Sequence, residues 1–122
     1  MTSSGTSTAP DPDCLFCKIV AGEIPATLVA ETSDSVAFRD INPQAPTHVL
    51  VVPREHYTDV AVLAAENPEL AGRYLADIAA VAAQQGADSF RLVFNTGADA
   101  QQSVFHVHGH VLAGRTMTWP PG

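Results

Sequence analysis

The stretch HVHGHVLAG, residues 106–114, places three of the chain's five histidines at every second position. Successive side chains of a β-strand point to opposite faces, so His106, His108 and His110 would share one face. Val107 and Val111 would then lie on the other face, where they can pack beneath a helix. The segment therefore predicts a strand with one face toward the core and an imidazole face available to a ligand.

Three alternating histidines also suggest a zinc hydrolase site with three imidazole ligands. Along an extended strand, however, His106 and His110 are about 13 Å apart, at about 3.3 Å per residue. A metal ion binds its ligands at about 2 Å, so one ion is hard to reach from both ends of the motif. Three histidines with different roles along a bound substrate are the better interpretation.

The composition predicts a single globular domain with a core of its own. The chain has 122 residues, of which 46% are hydrophobic and 16% are charged. Six Lys and Arg against 13 Asp and Glu give a net charge of −7. This charge argues against a broad nucleic-acid or anionic-membrane surface. A small anionic ligand is still compatible with it, if backbone N–H groups, hydroxyls and imidazoles hold that ligand.

The first thirteen residues, MTSSGTSTAPDPD, contain neither Lys nor Arg and no apolar run. They do not resemble a secretory signal, and we expect a disordered tail over 1–13 and a domain over 14–122. No stretch approaches the roughly 18 apolar residues of a membrane span. We therefore expect a soluble, cytoplasmic protein.

The rest of the chain predicts five strands, one short helix and one long helix. CLFCKIVAG is typical of a short helix that stops at Gly22. Asn67 and Pro68 predict the start of a helix that runs to about Gln85, before Gly86. The predicted strands lie in the segments ATLVAET, SVAFRD, THVLVVP, FRLVFN and VFHVHGHVL. Short hairpin-like links between them favour an α+β fold with a five-stranded antiparallel sheet.

HVHGHVL resembles the His-φ-His-φ-His-φ-φ signature of the histidine-triad (HIT) family of nucleotide hydrolases and transferases, where φ is apolar. The segments LFCKIVAGEIPA, FRDINPQAPTHVLVVPREH, RLVFNTG, QSVFHVHGHVLAGR and MTWPPG are similar to its Hint branch, the purine nucleoside phosphoramidate hydrolases. Two residues depart from the pattern. Gly109 occupies an apolar φ position, for which we expect a packing cost of up to about 1 kcal/mol. Gln101 stands where Hint proteins often have glycine.

The resemblance implies a covalent mechanism. His108 matches the family's nucleophile, which attacks the α-phosphorus, expels the leaving group and forms a nucleotidyl-imidazole that water hydrolyses. The family orients this ring through the backbone carbonyl of the first histidine, here His106. His110 matches the histidine that donates to a non-bridging phosphate oxygen. Ser103 and Asn95 match polar residues that contact the phosphate or the leaving group.

The resemblance also places the nucleoside. Asp40 matches a carboxylate that binds the ribose hydroxyls. The apolar walls around the purine are matched by Phe16, Ile19, Phe38 and Ile41. In Hint homodimers the carboxy-terminal segment packs near the partner's site, which implies a homodimer in which Trp119 influences the leaving-group pocket. The alternative is that Trp119 closes the core of its own subunit.

The two cysteines, Cys14 and Cys17, form a C-x-x-C pair that is redox-active, metal-binding or inert. No strand of a βαβ unit precedes them, which argues against a thioredoxin-like motif. Two thiolates supply half of a tetrahedral zinc site, and two imidazoles would complete it. Many bacterial histidine-triad proteins resemble this arrangement, so we expect a structural zinc on Cys14, Cys17, His48 and His106 and no organic cofactor. His56 is expected to be an exposed loop residue.

The favoured function is hydrolysis of P–N linked nucleoside monophosphates, with release of AMP or GMP. The alternatives are a nucleotide-binding or partner-binding module with vestigial catalysis, and a dinucleoside polyphosphate hydrolase. Intact His108, His110, Ser103 and Asn95 favour the enzyme, because a pure binder needs no free nucleophile. The Hint-like carboxy terminus makes the polyphosphate substrate the weaker alternative.

Overall fold

The computed structural model describes residues 9–122. One antiparallel sheet has the strand order β1-β2-β3-β5-β4, which confirms the predicted α+β class and the five strands. The elements are α1 (Leu15–Val20), β1 (Leu28–Glu31), β2 (Ser35–Arg39), β3 (Thr47–Pro53), α2 (Val60–Glu66), α3 (Pro68–Gln84), β4 (Phe90–Val93) and β5 (Gly109–Ala113).

Helix α3 begins where the sequence predicts it. The Asn67 side chain accepts a hydrogen bond from the Leu70 N–H at 3.1 Å, and Pro68 occupies the first turn. The short helix α2 just before it was not predicted. Asp59 caps its start, with a side chain that accepts from the Val62 N–H at 2.9 Å, and Asn67, which caps the start of α3, follows its end.

The sheet separates two apolar clusters. On one face α3 packs over β2, β3 and β5, with Tyr74, Ile78, Val51 and Val111 among the buried residues. On the other face the short helix α1 covers the sheet. The buried members of this second cluster are Cys14, Phe16, Cys17, Val36, Phe38, Leu50 and Val52. The histidine face of the last strand therefore lies on the α1 side, as the alternation predicts.

Strand β5 is shorter than predicted, since it begins only at Gly109. Its pairing with β3 runs from Thr47 opposite Ala113 to Val51 opposite Gly109. Before that point the backbone turns toward the segment that follows β3, where the Val107 N–H donates to the Tyr57 carbonyl at 2.8 Å. His106 and His108 therefore precede the strand, and only His110 lies within it.

The predicted tail falls partly outside the described residues, which exclude 1–8. Nearer the domain, the Cys14 N–H donates to the Asp11 carbonyl at 3.0 Å, and the Asp11 N–H lies 3.4 Å from the Cys17 sulfur. Residue 11 thus contacts the start of α1. In the part of the chain that the structure describes, no helix combines the length and the hydropathy needed to cross a membrane.

Candidate active site and metal centre

A cavity of about 370 Å³ opens on the α1 side of the sheet. One end is apolar and is formed largely by α1, the segment 24–26 and β2. The other end carries hydroxyl, carboxylate and imidazole groups. Eight residues expected at the site line this cavity: Phe16, Ile19, Phe38, Asp40, Ile41, Ser103, His108 and His110. The fold thus brings together an apolar surface and a polar end suited to an anion.

Three expected site residues do not line this cavity. Asn95 follows β4 and is half-buried. His106 is fully buried. Trp119 is 81% exposed, with the Arg91 guanidinium 5.9 Å from its ring centroid. The interpretation that Trp119 closes its own subunit's core is therefore wrong, and its place near a partner's site is still a prediction.

The His108 imidazole is held by a hydrogen bond to the main chain. Its Nδ1 lies 2.9 Å from the His106 carbonyl oxygen. A carbonyl only accepts, so Nδ1 carries the proton and Nε2 keeps a free lone pair. Burial lowers the pKa of His108, although the same carbonyl and the charge of Asp40 oppose the shift. At neutral pH the ring therefore presents an unprotonated nitrogen, which is what nucleophilic attack requires.

A second chain of hydrogen bonds fixes the ring of His110. The Gln44 N–H donates to His48 Nδ1 at 3.0 Å, so a neutral His48 carries its proton on Nε2. That atom lies 2.9 Å from His110 Nδ1 and 3.4 Å from Asp40 Oδ2. His110 Nδ1 is therefore an acceptor, and the His110 proton is on Nε2.

The Nε2–H of His110 is buried and has no hydrogen-bond partner among residues 9–122. Burial, together with the nearby imidazoles of His108 and His48, lowers the pKa of His110 to about 4. The ring is thus a neutral donor at physiological pH. A buried donor without a partner costs about 1–3 kcal/mol, which an acceptor oxygen of a ligand in the cavity would recover.

The structure corrects the predicted role of His48, which does not lie with the cysteines. In the β3–β5 register His48 faces Leu112 and Leu50 faces His110, so His48 and His110 are diagonal neighbours on one face. The cysteines lie near His106, which precedes His110 by four residues. The local sequence does not reveal this register, so the prediction of His48 as a zinc ligand is wrong.

The fourth member of the cysteine cluster is instead His56, which was expected to be exposed and is only 8% exposed. The ligand atoms of Cys14, Cys17, His56 and His106 all lie within 4.8 Å of one another. Four of the distances between them are 3.3–3.5 Å: Cys14 Sγ–His106 Nδ1, Cys17 Sγ–His56 Nδ1, Cys17 Sγ–His106 Nδ1 and His56 Nδ1–His106 Nδ1.

These distances fit a tetrahedral metal centre. Ligands at about 2.0–2.3 Å from one ion are separated by roughly 3.3–3.8 Å along the edges of a tetrahedron. The His106 Nε2 donates to the Pro53 carbonyl at 2.8 Å, which leaves a lone pair on Nδ1. Burial raises the pKa of Cys17 to about 11, so a thiolate here needs a cation beside it. The two thiols and two imidazoles form a Cys/His set that suits a soft divalent ion.

One buried residue near the site, Gln102, was missed. Its side chain donates to the carbonyls of Thr58 and Val104 at 2.6 and 3.2 Å and accepts from the Gly97 N–H at 2.9 Å. It thereby anchors the loop that carries Ser103. The preceding Gln101 has φ 66°, the left-handed region that favours glycine. This explains why glycine would suit position 101.

An α+β fold in which alternating histidines lie beside a cavity is typical of histidine-triad proteins. Comparison with known proteins leads to the same class. Residues 21–117 match the HIT domain. The chain therefore belongs to the HIT family.

Similar proteins cover almost the whole chain. An uncharacterised HIT-like protein of Synechocystis sp. is 46% identical over 90% of this chain and 97% of its own length. The 14 kDa zinc-binding protein of Zea mays is 45% identical over 92% of this chain and 90% of its own. The adenylylsulfatase HINT1 of Arabidopsis thaliana is 42% identical over 95% of this chain and 81% of its own length.

A solved structure shows the same fold. The crystal structure of a HIT family hydrolase from Legionella pneumophila superposes with a TM-score of 0.85 at 46% identity, and covers 90% of this chain and all of that one. The chain thus has the fold of the HIT family hydrolases.

The hydrogen-bond chain through His48 predicts the tautomer of His110. In wild-type protein the His110 proton should be on Nε2, and the ring should stay neutral from pH 8 to about pH 5, because its pKa lies near 4. In His48→Ala the donor to Nδ1 is lost, so both tautomers should become populated. Long-range ¹H–¹⁵N correlation spectra measure this directly. Ile41→Ala, at the fully exposed edge of the cavity, is the control. A wild-type His110 protonated on Nδ1 would contradict the assignment.

Proposed function

We propose that the protein hydrolyses purine nucleoside phosphoramidates through a nucleotidyl-His108 intermediate. One observation carries the proposal: the His106 carbonyl holds the Nδ1 proton of His108, which leaves Nε2 free in a ring that lines the cavity. A buried, neutral and oriented imidazole is the arrangement that covalent catalysis at phosphorus needs.

The lining of the cavity supports one proposed orientation of the nucleotide. The base packs at the apolar end against Phe16 and Ile19, both of which line it. The ribose hydroxyls donate to Asp40, one of whose carboxylate oxygens already accepts the Asn42 N–H at 2.8 Å. The phosphate then lies beside His108 and His110, whose ring centroids are 5.0 Å apart.

In the first step Nε2 of His108 attacks phosphorus and a P–N bond to the imidazole forms. The bond to the leaving amine breaks as its nitrogen takes a proton from water beside the exposed Ser103. The His106 carbonyl stabilises the positive charge that develops on the ring. His110 donates its Nε2–H to a non-bridging oxygen, and Ser103, at the rim, assists the leaving group. In the second step water attacks phosphorus and gives a proton to solvent, and the bond between phosphorus and Nε2 breaks. The nucleoside monophosphate is released and the neutral imidazole of His108 is restored.

The comparisons support a nucleotidyl substrate in a general way. The Arabidopsis relative is named an adenylylsulfatase and the Legionella neighbour a hydrolase. The preference for a P–N linkage rests on the similarity of the segments around the triad and of the carboxy-terminal MTWPPG to the Hint branch. Homodimerisation is part of the same proposal. Strand β4 lies at the edge of the sheet, and both Phe90 on it and Trp119 beside it are exposed.

We also propose that Cys14, Cys17, His56 and His106 bind a zinc ion. Four protein ligands would close its coordination sphere, so the ion would supply folding energy and take no part in the reaction. The donor set and the 3.3–3.5 Å separations support this assignment. The Zea mays relative is itself named a zinc-binding protein.

The nucleophile is tested by trapping the adduct. Wild-type protein mixed with an adenosine phosphoramidate and quenched in base should gain the mass of an adenylyl group. In His108→Ala the adduct should be absent, and kcat/KM should fall by about 10³-fold or more, because the covalent route is lost. Leu28→Ala, on the exposed side of β1, should behave as wild type. An adduct that persists in His108→Ala would refute the proposal. Nucleotide binding without any adduct in wild type would instead indicate a binding module.

The metal ligands are tested by two histidine variants, one expected to lose zinc and the other to keep it. Wild-type protein should contain one zinc per chain by elemental analysis. His56→Ala should lower the zinc affinity by more than about 100-fold and lower the melting temperature, because a ligand is lost. His48→Ala should keep its zinc, since His48 lies with His110 and Asp40. Zinc loss in His48→Ala with retention in His56→Ala would contradict the assigned ligand set.

A further inference from the structure

We propose that Tyr74, on α3, is a positioning residue for the catalytic histidines, because its hydroxyl bridges the main chains of β3 and β5 beside His108. The expected effect on the rate of adduct formation rests on the proposed function. The hydrogen-bond bridge itself does not depend on that function.

The bridge joins two strands where their pairing ends. The Gly109 N–H donates to the Tyr74 hydroxyl at 3.1 Å, and the hydroxyl donates to the Val51 carbonyl. Val51 and Gly109 form the last pair of the β3–β5 register. The Tyr74 side chain is 1% exposed. Burial raises the pKa of Tyr74 far above its usual value, so the hydroxyl keeps its proton and serves both groups.

Glycine at position 109 makes room for this arrangement. A Cβ atom there would lie 3.1 Å from Leu92 Cδ1 and 3.1 Å from the Phe94 ring, which is tighter than ordinary contact. The Phe94 ring in turn packs against Tyr74, with 6.1 Å between centroids. The HIT signature has an apolar side chain at this position. Here the side chains of Leu92 and Phe94 fill the space that it would occupy. Gly109, Phe94 and Tyr74 form one packed set.

The bridge constrains the peptide that follows the nucleophile. Before β5 begins, the main chain is held by the Val107 N–H bond to the Tyr57 carbonyl, and the next main-chain anchor described here is Gly109. His108 lies between these two anchors. Without the Tyr74 hydroxyl, the Gly109 N–H and the Val51 carbonyl would lack this buried partner, and the start of β5 would open locally.

A displaced His108 should slow the chemical step and leave binding intact. Misplacement of a reacting group by about 1 Å costs up to about 10²-fold in rate. The proposed base and ribose contacts, by contrast, are made by α1 and Asp40, which Tyr74 does not touch. Tyr74→Phe should therefore lower the single-turnover rate of adduct formation by about 10- to 100-fold with little change in KM.

The experiment compares Tyr74→Phe with Ile78→Val, one turn further along the same buried face of α3. Both variants are expected to be less stable than wild type, but only the first removes the bridge. In Tyr74→Phe the Gly109 amide should exchange with solvent at least about 10-fold faster, and the Nδ1–H resonance of His108 should broaden or disappear. In Ile78→Val both signals and the rate of adduct formation should match wild type.

The outcomes separate this inference from the proposed function. If the Gly109 amide exchanges equally in both variants, the bridge constrains nothing and the inference fails. Faster exchange with an unchanged His108 resonance and an unchanged rate would make Tyr74 structural only, and would also overturn it. A wild-type protein that forms no adduct would refute the proposed function. The Gly109 and His108 signals would then still decide whether Tyr74 positions the ring.

Discussion

The hydrogen bond from His108 to the His106 carbonyl is the constraint on which the site depends. It places the ring proton on Nδ1 and therefore leaves the lone pair on Nε2. The carbonyl is itself well fixed, because both nitrogens of the His106 ring are engaged. One lies in the cluster with Cys14, Cys17 and His56, and the other donates to Pro53. His106 thus connects the candidate metal centre to the proposed nucleophile, His108. Its side chain lies in the metal cluster, and its main-chain carbonyl holds the His108 ring.

Hydrogen bonding also fixes the ring of His110, the imidazole donor of the site. With a net charge of −7, the chain has no general excess of cations with which to bind the proposed anionic ligand. The imidazole donor in the cavity is His110, which burial keeps uncharged and the hydrogen bond with His48 holds in one tautomer. His48 determines the tautomer of His110 just as the main chain determines that of His108. Preorganised neutral donors of this kind stabilise developing charge without reorganising during the reaction.

Much of the fold follows from local periodicity, and for that reason it could be predicted. Alternation along 107–111 assigns Val107 and Val111 to the core and His108 and His110 to the cavity. The Asn67-Pro68 pair marks the start of α3. The metal ligands could not be predicted in the same way. His48 and His56 stand on either side of Pro53, and the choice between them depends on the β3–β5 register. That register follows from long-range pairing, which local sequence does not contain. The start of β5 depends on the same pairing.

The chemistry at His108 is tested most directly by the position of the phosphorus on its ring. If the His106 carbonyl holds Nδ1, a trapped nucleotidyl group must be bonded to Nε2. Phosphorus-nitrogen couplings in protein labelled with ¹⁵N at histidine distinguish the two ring nitrogens in the adduct. The account predicts an adduct on Nε2 alone. An adduct on Nδ1 would contradict it, because the nitrogen that is assigned here to the hydrogen bond would then be the one that attacks.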